Sequence, residues 1–345
     1  MNILVHINHP AHVHLFRNAI NTWTSRGHNL IIASRDKDIV LELLDAYHLK
    51  YAVVSKTSSG VVWELIEQDW RILKMVQQYK VDLLIGTSVA ISHVSKVTGA
   101  KSIVFNEDDA DYDHSTAWLS YPFADNIVIP NCLRDRRTPK YITHNSYHEL
   151  AYLHPNNFQP DPSVLSELGV QPDEPFFIVR LVALRADHDI GQAGLGQSAQ
   201  RRLIKLLSKE GRVFITSESN LPEDLQPYRI HISPHRIHHA LSYARMLISD
   251  SQTMTIEAAV LGTPAIRCNT FVGRCSVIEE LQQRYELTYG FLPQEENLML
   301  KFIVELLDDE NLKDKWQQKR EKMLAEKIDM NEWMVDLVEN HFKKS

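Results

Sequence analysis

The chain has 345 residues, of which 44% are hydrophobic and 23% are charged, the composition of an ordinary globular protein. Because single cores stop growing at about 250–300 residues, two domains are expected. The net charge of −7 argues against a nucleic-acid-binding protein, which usually carries a concentrated basic face.

The sequence shows no sign of a membrane span or an export signal. No apolar run approaches the roughly 18 residues that a span needs, and the start MNILVHINH lacks a basic region followed by a long apolar stretch. The three cysteines, Cys132, Cys268 and Cys275, have no CxxC spacing, which argues against a zinc cluster and a disulfide framework. These features predict a cytoplasmic protein.

Short apolar runs alternate with longer amphipathic segments along almost the whole chain, the pattern that builds parallel sheets through βαβ units. The predicted fold class is therefore α/β, with two Rossmann-like doubly wound domains that face each other across a cleft. Strands are predicted at residues 2–7, 29–34, 51–54, 83–85, 102–105, 126–129, 175–180, 212–216, 229–231, 246–248, 265–267 and 287–290. Helices are predicted at residues 14–25, 37–47, 61–79, 89–97, 197–209, 237–242, 254–261, 275–282 and 295–307, with a charged helical tail from 311 to 343.

The domain boundaries are predicted from a Pro- and Asn-rich stretch in the middle of the chain. An N-terminal domain at residues 1–155 is followed by a linker at 156–174 and a C-terminal domain at 175–325. A final helix at 326–345 is expected to pack back on the N-terminal domain.

Four histidines and an asparagine lie at the carboxyl end of the first predicted strand, in the segment HINHPAHVH. The carboxyl ends of parallel strands face the ligand crevice of a doubly wound sheet, so these side chains are expected beside the substrate. His9 and His12 are candidates for a general base, or for recognition of sugar and phosphate groups. A metal site is the weaker alternative, because no nearby Asp, Glu or Cys completes a ligand set, and at least one histidine is expected to cap the following helix.

Apolar side chains lie near one face of the helix predicted at residues 61–79. Packing in the core is the favoured interpretation, and contact with a membrane surface is the alternative. The stripe consists of Val61, Val62, Trp63, Ile66, Trp70, Leu73 and Val76.

An acidic segment, NEDDADYDH, follows the strand predicted at residues 102–105 and is therefore expected at the same edge of the first sheet. Carboxylates this close repel one another, which raises some of their pKa values and creates a candidate general acid or base. Glu107 and Asp109 are the catalytic candidates of this segment. A solvated acidic loop is the alternative.

The segment RLVALRADHDIG follows the first strand of the second half. Arg180 and Arg185 are candidates for binding a diphosphate, since a guanidinium pairs with phosphate oxygens through two parallel hydrogen bonds. His188 in the same segment stays open between a structural and a catalytic role. The later segment SPHRIH, at residues 233–238, is a candidate for recognition of a nucleotide base.

The segment ISDSQTMTIEAAVLGTPAI, at residues 248–266, combines a strand end, a tight polar turn and a helix that closes with Gly and Pro. A helix N-terminus attracts anions because its first N–H groups are unpaired and its dipole is positive there. Glu257 follows inside the first turns, where a carboxylate can accept hydrogen bonds from a ribose diol. The segment predicts a diphosphate-and-ribose site, and a well-capped helix without a ligand is the alternative.

The whole chain resembles the domain of unknown function 354 family, glycosyltransferase-like proteins of bacteria and archaea related to UDP-N-acetylglucosamine 2-epimerases and to B-type (GT-B) glycosyltransferases. The segments that carry the resemblance cover most of both halves. They are HINHPAHVHLF, SRGHNLIIASRD, FNEDDAD, YHELAYLHP, VRLVALRADHDIG and SDSQTMTIEAAVLGTPAI.

The resemblance implies a nucleotide-activated sugar, in the first place a UDP-sugar, as the donor substrate, bound mainly by the second domain. Ser251, Gln252 and Thr253 would hold the diphosphate and Glu257 the ribose, although the better-known relatives have glycines where this loop has Ser-Gln-Thr. The first domain would approach an unknown saccharide or lipid-linked acceptor. The expected enzyme is a metal-independent hexosyltransferase of surface polysaccharide or glycolipid synthesis that needs no cofactor and contacts the membrane at most peripherally.

Two alternatives stay open. The 2-epimerases use several carboxylates and a histidine, including an acid at the end of the fourth strand, where this chain has Gly86, Thr87 and Ser88. The acidic segment beginning at Glu107 can stand in for another of these carboxylates, so the epimerase hypothesis is weakened and not removed. The second alternative is a nucleotide-sugar-binding protein without catalytic activity.

Overall fold

The computed structural model describes residues 1–56, 60–110, 114–134, 137–182 and 194–342. Two compact units are present, the first made of Met1–Asn157 and Lys327–Ser345 and the second of Phe158–Glu326. Each unit is built on its own parallel sheet. The predicted fold class, α/β with two doubly wound domains, is confirmed.

The sheet of the first unit has seven strands within the described residues. Its inner strands are continuous apolar runs, such as Ile3 to Val5, because helices cover both faces of a parallel sheet. The strands are β1 (Asn2–Ile7), β2 (Asn29–Asp36), β3 (Ala52–Lys56), β4 (Leu83–Gly86), β5 (Lys101–Phe105), β6 (Asn126–Pro130) and β7 (Tyr141–His144). The helices are α1 (Pro10–Ser25), α2 (Val40–Ala46), α3 (Val61–Tyr79), α4 (Val89–Val97), α5 (His114–Ser120), α6 (Leu150–Leu153) and α14 (Met330–Phe342).

The sheet of the second unit has five strands in the described part of the chain. The strands are β8 (Phe176–Leu181), β9 (Arg212–Ser217), β10 (Met246–Ser249), β11 (Ala265–Cys268) and β12 (Thr288–Phe291). The helices are α7 (Ser163–Leu168), α8 (Gln197–Leu207), α9 (Ile237–Tyr243), α10 (Gln252–Leu261), α11 (Ser276–Gln283), α12 (Glu296–Leu307) and α13 (Leu312–Glu326).

Each sheet contains a topological switch, a pair of neighbouring strands at which the direction of winding reverses. The strand orders are β3-β2-β1-β4-β5-β6-β7 and β12-β11-β10-β8-β9. The switches therefore lie between β1 and β4 in the first sheet and between β8 and β10 in the second. Ligands of open α/β sheets bind at the carboxyl ends of the strands at such points.

Among the differences between the structure and the sequence-based assignment, three concern strands and the linker. Strand β7 was not predicted, because its four residues follow a polar turn and carry little apolar signal. The strand predicted at residues 229–231 is a single bridge between Ile215 and Arg229. The predicted linker contains helix α7, whose buried Val164, Leu165 and Leu168 anchor it in the second unit.

Four side chains of the apolar stripe of helix α3, Val62, Trp63, Ile66 and Trp70, are exposed, so the prediction that the stripe packs in the core was wrong for them. The opposite face is buried and carries Glu64 and Gln68 beside Ile72 and Val76. Arg35 of β2 donates to the Glu64 carboxylate at 2.6 Å, and Gln68 donates to Ser55 of β3 at 3.0 Å. These bonds satisfy the buried polar groups and set the rotation of the helix.

Candidate functional site

The polar side chains of the first unit meet at its topological switch, where His6 of β1 is in register with Gly86 of β4. A Cβ atom on Gly86 would lie 2.8 Å from the His6 carbonyl oxygen, so this close approach requires glycine. The residues after Gly86 then reach the histidines. Ser88 Oγ lies 2.5 Å from His6 Nδ1, and Thr87 Oγ1 lies 2.9 Å from His12 Nδ1.

Burial keeps both of these histidines uncharged at neutral pH. It lowers the pKa of His6 to about 3, with a smaller contribution from the Arg35 charge. Burial, followed by the neighbouring His9 and His148, holds the pKa of His12 well below its usual range. A neutral imidazole can accept a proton, so His12 keeps the protonation state that a base requires.

Glu107 pairs with His148, a residue that was not singled out as a site residue from the sequence. The Glu107 carboxyl accepts the His148 backbone N–H at 3.1 Å, and its second oxygen lies 3.1 Å from His148 Nδ1. Burial raises the pKa of Glu107 to about 8, opposed by that backbone hydrogen bond, and lowers the pKa of His148 to about 3. The pair is therefore neutral at pH 7, and Glu149 adds a further hydrogen bond to Glu107.

The His148 ring presents a second nitrogen to its surroundings. Nε2 is buried and finds no hydrogen-bond partner among the described residues. A buried polar atom without a partner costs about 1–3 kcal/mol, and a bound hydroxyl or phosphate oxygen would remove that cost. Glu107 and His148 thus form a hydrogen-bonded pair in which one imidazole nitrogen has no partner among the described residues.

Two of the predicted catalytic residues, Asp109 and His9, form hydrogen bonds with the backbone of their own unit. Asp109 is fully buried, and its carboxylate accepts the Arg134 backbone N–H at 2.9 Å and faces the Arg134 guanidinium. His9 is exposed and caps helix α1 by accepting the Ala11 N–H at 3.2 Å. We therefore assign Asp109 to the support of its loop and His9 first of all to the helix cap.

In the second unit, the N-terminus of α10 lies at the switch between β8 and β10. Ser251 is the N-cap residue and accepts the Met254 N–H at 3.4 Å. Gln252 and Thr253 form the first turn, whose N–H groups point out of the N-terminal end of the helix. This is the arrangement that binds a phosphate group at a helix start.

A buried arginine reinforces the positive end of this helix. Arg267 of β11 has no exposed surface, and its guanidinium lies 3.3 Å from Gln252 Oε1 and 3.3 Å from a Glu279 oxygen. A single charged residue inside the apolar strand AIRC was a signal that sequence reasoning missed, because such residues are buried only when they are paired.

Glu257 is also buried, and it is held by His238 of helix α9. The His238 Nε2 atom lies 2.9 Å from Glu257 Oε1. His238 lies in the segment predicted to recognise a base, and its contact is instead with this carboxylate. Arg236 of the same segment pairs with Asp161 and Glu167, which ties α9 to α7.

Asp250, between β10 and α10, contacts the residues that flank the segment 183–193. Its carboxylate accepts the Val182 N–H at 2.7 Å, and a Cβ atom on Gly194 would lie 2.6 Å from it. Burial raises the pKa of Asp250 to about 7, opposed by the Val182 hydrogen bond. The predicted phosphate ligand Arg185 and the open residue His188 fall in 183–193, outside the described residues.

Arg180 lies at the switch point, where it is in register with Ser249. Its guanidinium donates to Thr216 Oγ1 at 3.0 Å and forms an ion pair with Glu218. The backbone of Arg180 lies beside the β10–α10 turn, where its carbonyl oxygen accepts the Asp250 N–H at 3.2 Å, and its side-chain charge is shared with Glu218. Within the described ranges, no three His, Cys, Asp or Glu side chains are grouped as metal ligands.

A sequence profile of the family described as protein of unknown function (DUF354) matches residues 1–342. The chain belongs to the DUF354 family. The resemblance stated from the sequence motifs is thus confirmed over nearly the whole length. Among curated proteins, none matches this chain.

Solved structures similar to this DUF354 chain share its fold at low sequence identity. MnaA of S. aureus, solved with UDP, has a TM-score of 0.71 and 13% identity, with 99% of this chain and 97% of that chain covered. A putative UDP-N-acetylglucosamine 2-epimerase of Listeria monocytogenes has a TM-score of 0.71 and 11% identity over 100% and 97% of the two chains. MurG of Acinetobacter baumannii has a TM-score of 0.62 and 13% identity over 99% and 100%. These similarities establish the GT-B fold.

Proposed function

We propose that this DUF354 chain is a glycosyltransferase that takes its sugar from a UDP-sugar bound by the second domain. The observation that carries the proposal is the α10 N-terminus at the switch of the second sheet. Three features needed for a nucleotide diphosphate lie there together: helix N–H groups, the buried Arg267 charge, and the Glu257 carboxylate fixed by His238. Likeness to MnaA, solved with UDP, and to a Neisseria meningitidis 2-epimerase bound to UDP-GlcNAc supports the choice of nucleotide.

In this proposal the diphosphate lies against the N–H groups of Gln252 and Thr253, and Arg267 stabilises the charge that develops on the departing UDP. Fixed donors and a buried cation are most effective when they are in place before the charge forms. Arg180 is a further phosphate ligand, and to bind the phosphate it would leave its present partner, Glu218. Glu257 accepts hydrogen bonds from the ribose hydroxyls.

The first domain supplies the base that activates the acceptor hydroxyl. We assign this role to His148 with Glu107, since a deprotonated Glu107 would bind the Nδ1–H of His148 and leave Nε2 to accept the proton. Burial raises the pKa of Glu107 to about 8, so this active form increases as the pH rises toward 8. His12 is the second candidate and contacts Thr87 at the same sheet edge.

The test has two stages. Thermal-shift measurements with UDP-, GDP-, CMP- and dTDP-sugars should show stabilisation by the UDP series, because a ligand stabilises the state that binds it. If none of them raises the melting temperature of the wild-type protein, the donor site is refuted. Incubation with UDP-GlcNAc without an acceptor should then leave the sugar unchanged.

The epimerase alternative is favoured by one observation, the group formed by Glu107, His148 and Glu149, which joins two carboxyls and an imidazole. Formation of the manno epimer, or of free N-acetylmannosamine with UDP, in that same incubation would establish the epimerase and overturn the transferase.

A further inference from the structure

The first domain exposes large apolar side chains on one layer of helices. Two tryptophans of α3, Trp63 and Trp70, are 69% and 54% exposed, and Trp118 of α5 is 83% exposed. Soluble proteins rarely expose such side chains in groups unless the surface binds something. The α3–α5 face, as we name it, consists of Val62, Trp63, Ile66, Trp70, Trp118, Leu119 and Phe123.

Helix α4 links the two parts of this face. The imidazole of its His93 lies 3.0 Å from the Asp69 carboxylate of α3 and 2.9 Å from the Leu119 carbonyl oxygen. The same ring meets Phe123 edge-on, with 5.1 Å between the ring centroids. The exposed side chains of α3 and α5 therefore belong to one connected helical layer.

Lysines near the α3–α5 face have no acidic partner in the described part of the chain, whereas the α3 carboxylates of Glu67 and Asp69 are paired with Arg71 and His93. Lys74 Nζ lies 3.5 Å from the centre of the Trp70 ring, and Lys140 Nζ donates to the Pro122 carbonyl at 2.9 Å, one residue before Phe123. Lys80, at the end of α3, is exposed. Within the described ranges, none of these three lysines forms an ion pair with a carboxylate, although the whole chain carries a net charge of −7.

Tryptophans with neighbouring lysines match the chemistry of a membrane surface. Indole rings settle at the level of the lipid headgroups, and lysines interact with anionic phosphates while their aliphatic stems stay on apolar surface. A twofold contact between two copies of this face would bring two sets of lysines to one interface, which costs energy. The charge pattern thus favours an anionic bilayer over a second copy of the chain.

The α3–α5 face lies near the candidate site of the first domain. Trp63 lies in the first turn of α3, and α5 begins after the loop that carries Glu107, so both helices start at the carboxyl edge of the first sheet. This is the edge at which His12 and His148 lie. No helix among the described residues is long and apolar enough to cross a membrane.

We propose that the α3–α5 face docks on a bilayer that contains anionic phospholipid, and that the first domain takes a lipid-linked acceptor from that surface. The second half of this proposal rests on the proposed glycosyltransferase function. The docking itself does not.

The test is flotation of the full-length protein with vesicles of phosphatidylcholine, with and without phosphatidylglycerol. The wild type should bind the anionic vesicles, and the triple variant Trp63→Ser/Trp70→Ser/Trp118→Ser should bind at least about tenfold more weakly, because three indoles lose their burial. Lys74→Gln and Lys140→Gln should each weaken binding about fivefold. The matched control Leu298→Ser/Val304→Ser, which removes exposed apolar side chains from α12 in the second unit, should bind like the wild type.

Three results would overturn the docking proposal: no binding of the wild type to anionic vesicles, equal binding to both kinds of vesicle, or equal binding of the triple variant. Sedimentation velocity provides a further check, since a stable dimer that the triple variant dissociates, without any vesicle binding, would assign the face to a second copy. UDP titration separates the two proposals. The triple variant should bind UDP like the wild type, and vesicle binding by a protein that binds no UDP would refute the proposed function alone.

Discussion

The contact between Glu257 and His238 allows the donor site to be tested at a single pair of atoms. The His238 Nε2 and Glu257 Oε1 atoms are 2.9 Å apart, and both side chains are buried. Glu257→Gln keeps an acceptor oxygen for the imidazole and removes the negative charge. His238→Ala removes the group that orients the carboxylate.

The expected magnitudes follow from the burial of the pair. A hydrogen bond to a charged group contributes about 1.5–3 kcal/mol, and each 1.4 kcal/mol is about tenfold in affinity. Glu257→Gln should therefore weaken UDP binding about ten- to hundredfold. His238→Ala leaves a buried carboxylate without its partner, which costs about 3–5 kcal/mol and lowers the melting temperature of a domain of this size by about 6–20 °C.

Isothermal titration with UDP and with pyrophosphate measures the first effect, and calorimetric unfolding measures the second. Glu257→Gln should leave pyrophosphate binding unchanged, because pyrophosphate has no ribose. The double variant His238→Ala/Glu257→Ala should lose less stability than the sum of the two single variants. An unchanged UDP affinity in Glu257→Gln would refute the ribose assignment, and additive stability losses would refute the coupling of the pair.

Three further predictions concern the other buried charges. The pKa of Glu107 is raised from 4.5 to about 8, so the folded protein holds this proton more strongly than the unfolded chain does, and the free energy of unfolding falls as the pH rises through that window. Urea denaturation at pH 5 and pH 8 should show a smaller fall for Glu107→Gln than for the wild type. Asp109→Asn should destabilise the first domain by about 1–3 kcal/mol, because its bonds to Arg134 are weakened, while kcat per folded molecule stays within about twofold of the wild type. A hundredfold loss of kcat would show that Asp109 is a catalytic residue. In isothermal titration, Arg267→Met should bind UDP at least about tenfold more weakly than the wild type and bind uridine, which has no phosphate, equally well. Equal losses of affinity for both ligands would show that Arg267 only supports the fold.

Much of the fold could be predicted from the sequence because apolar periodicity follows burial. The helices Val61–Tyr79 and Val89–Val97 have the predicted bounds. Parallel strands also bring their carboxyl ends to one edge, so His12 and Glu107 were expected at the same end of the first sheet. Strand β7, with only four residues, gave too weak a pattern, and His148, which follows it, was not recognised as a site residue for that reason.

Side-chain partners that are distant in sequence account for the remaining errors. Helix α3 has apolar residues on two faces, and its rotation depends on bonds from Arg35 and Ser55 to Glu64 that local periodicity does not contain. The contact of Asp109 with the Arg134 backbone N–H is likewise absent from the local sequence pattern, and its predicted catalytic role stays a prediction. Arg267 was overlooked because its role depends on Gln252, fifteen residues earlier in the chain.

The central claim, a UDP-sugar site at the start of α10, is tested most directly by a crystal structure of the protein with UDP. The proposal predicts phosphate oxygens within hydrogen-bonding distance of the Gln252 and Thr253 backbone N–H groups, with the ribose hydroxyls on Glu257. Density for UDP elsewhere on the chain, or none at saturating UDP, would contradict it.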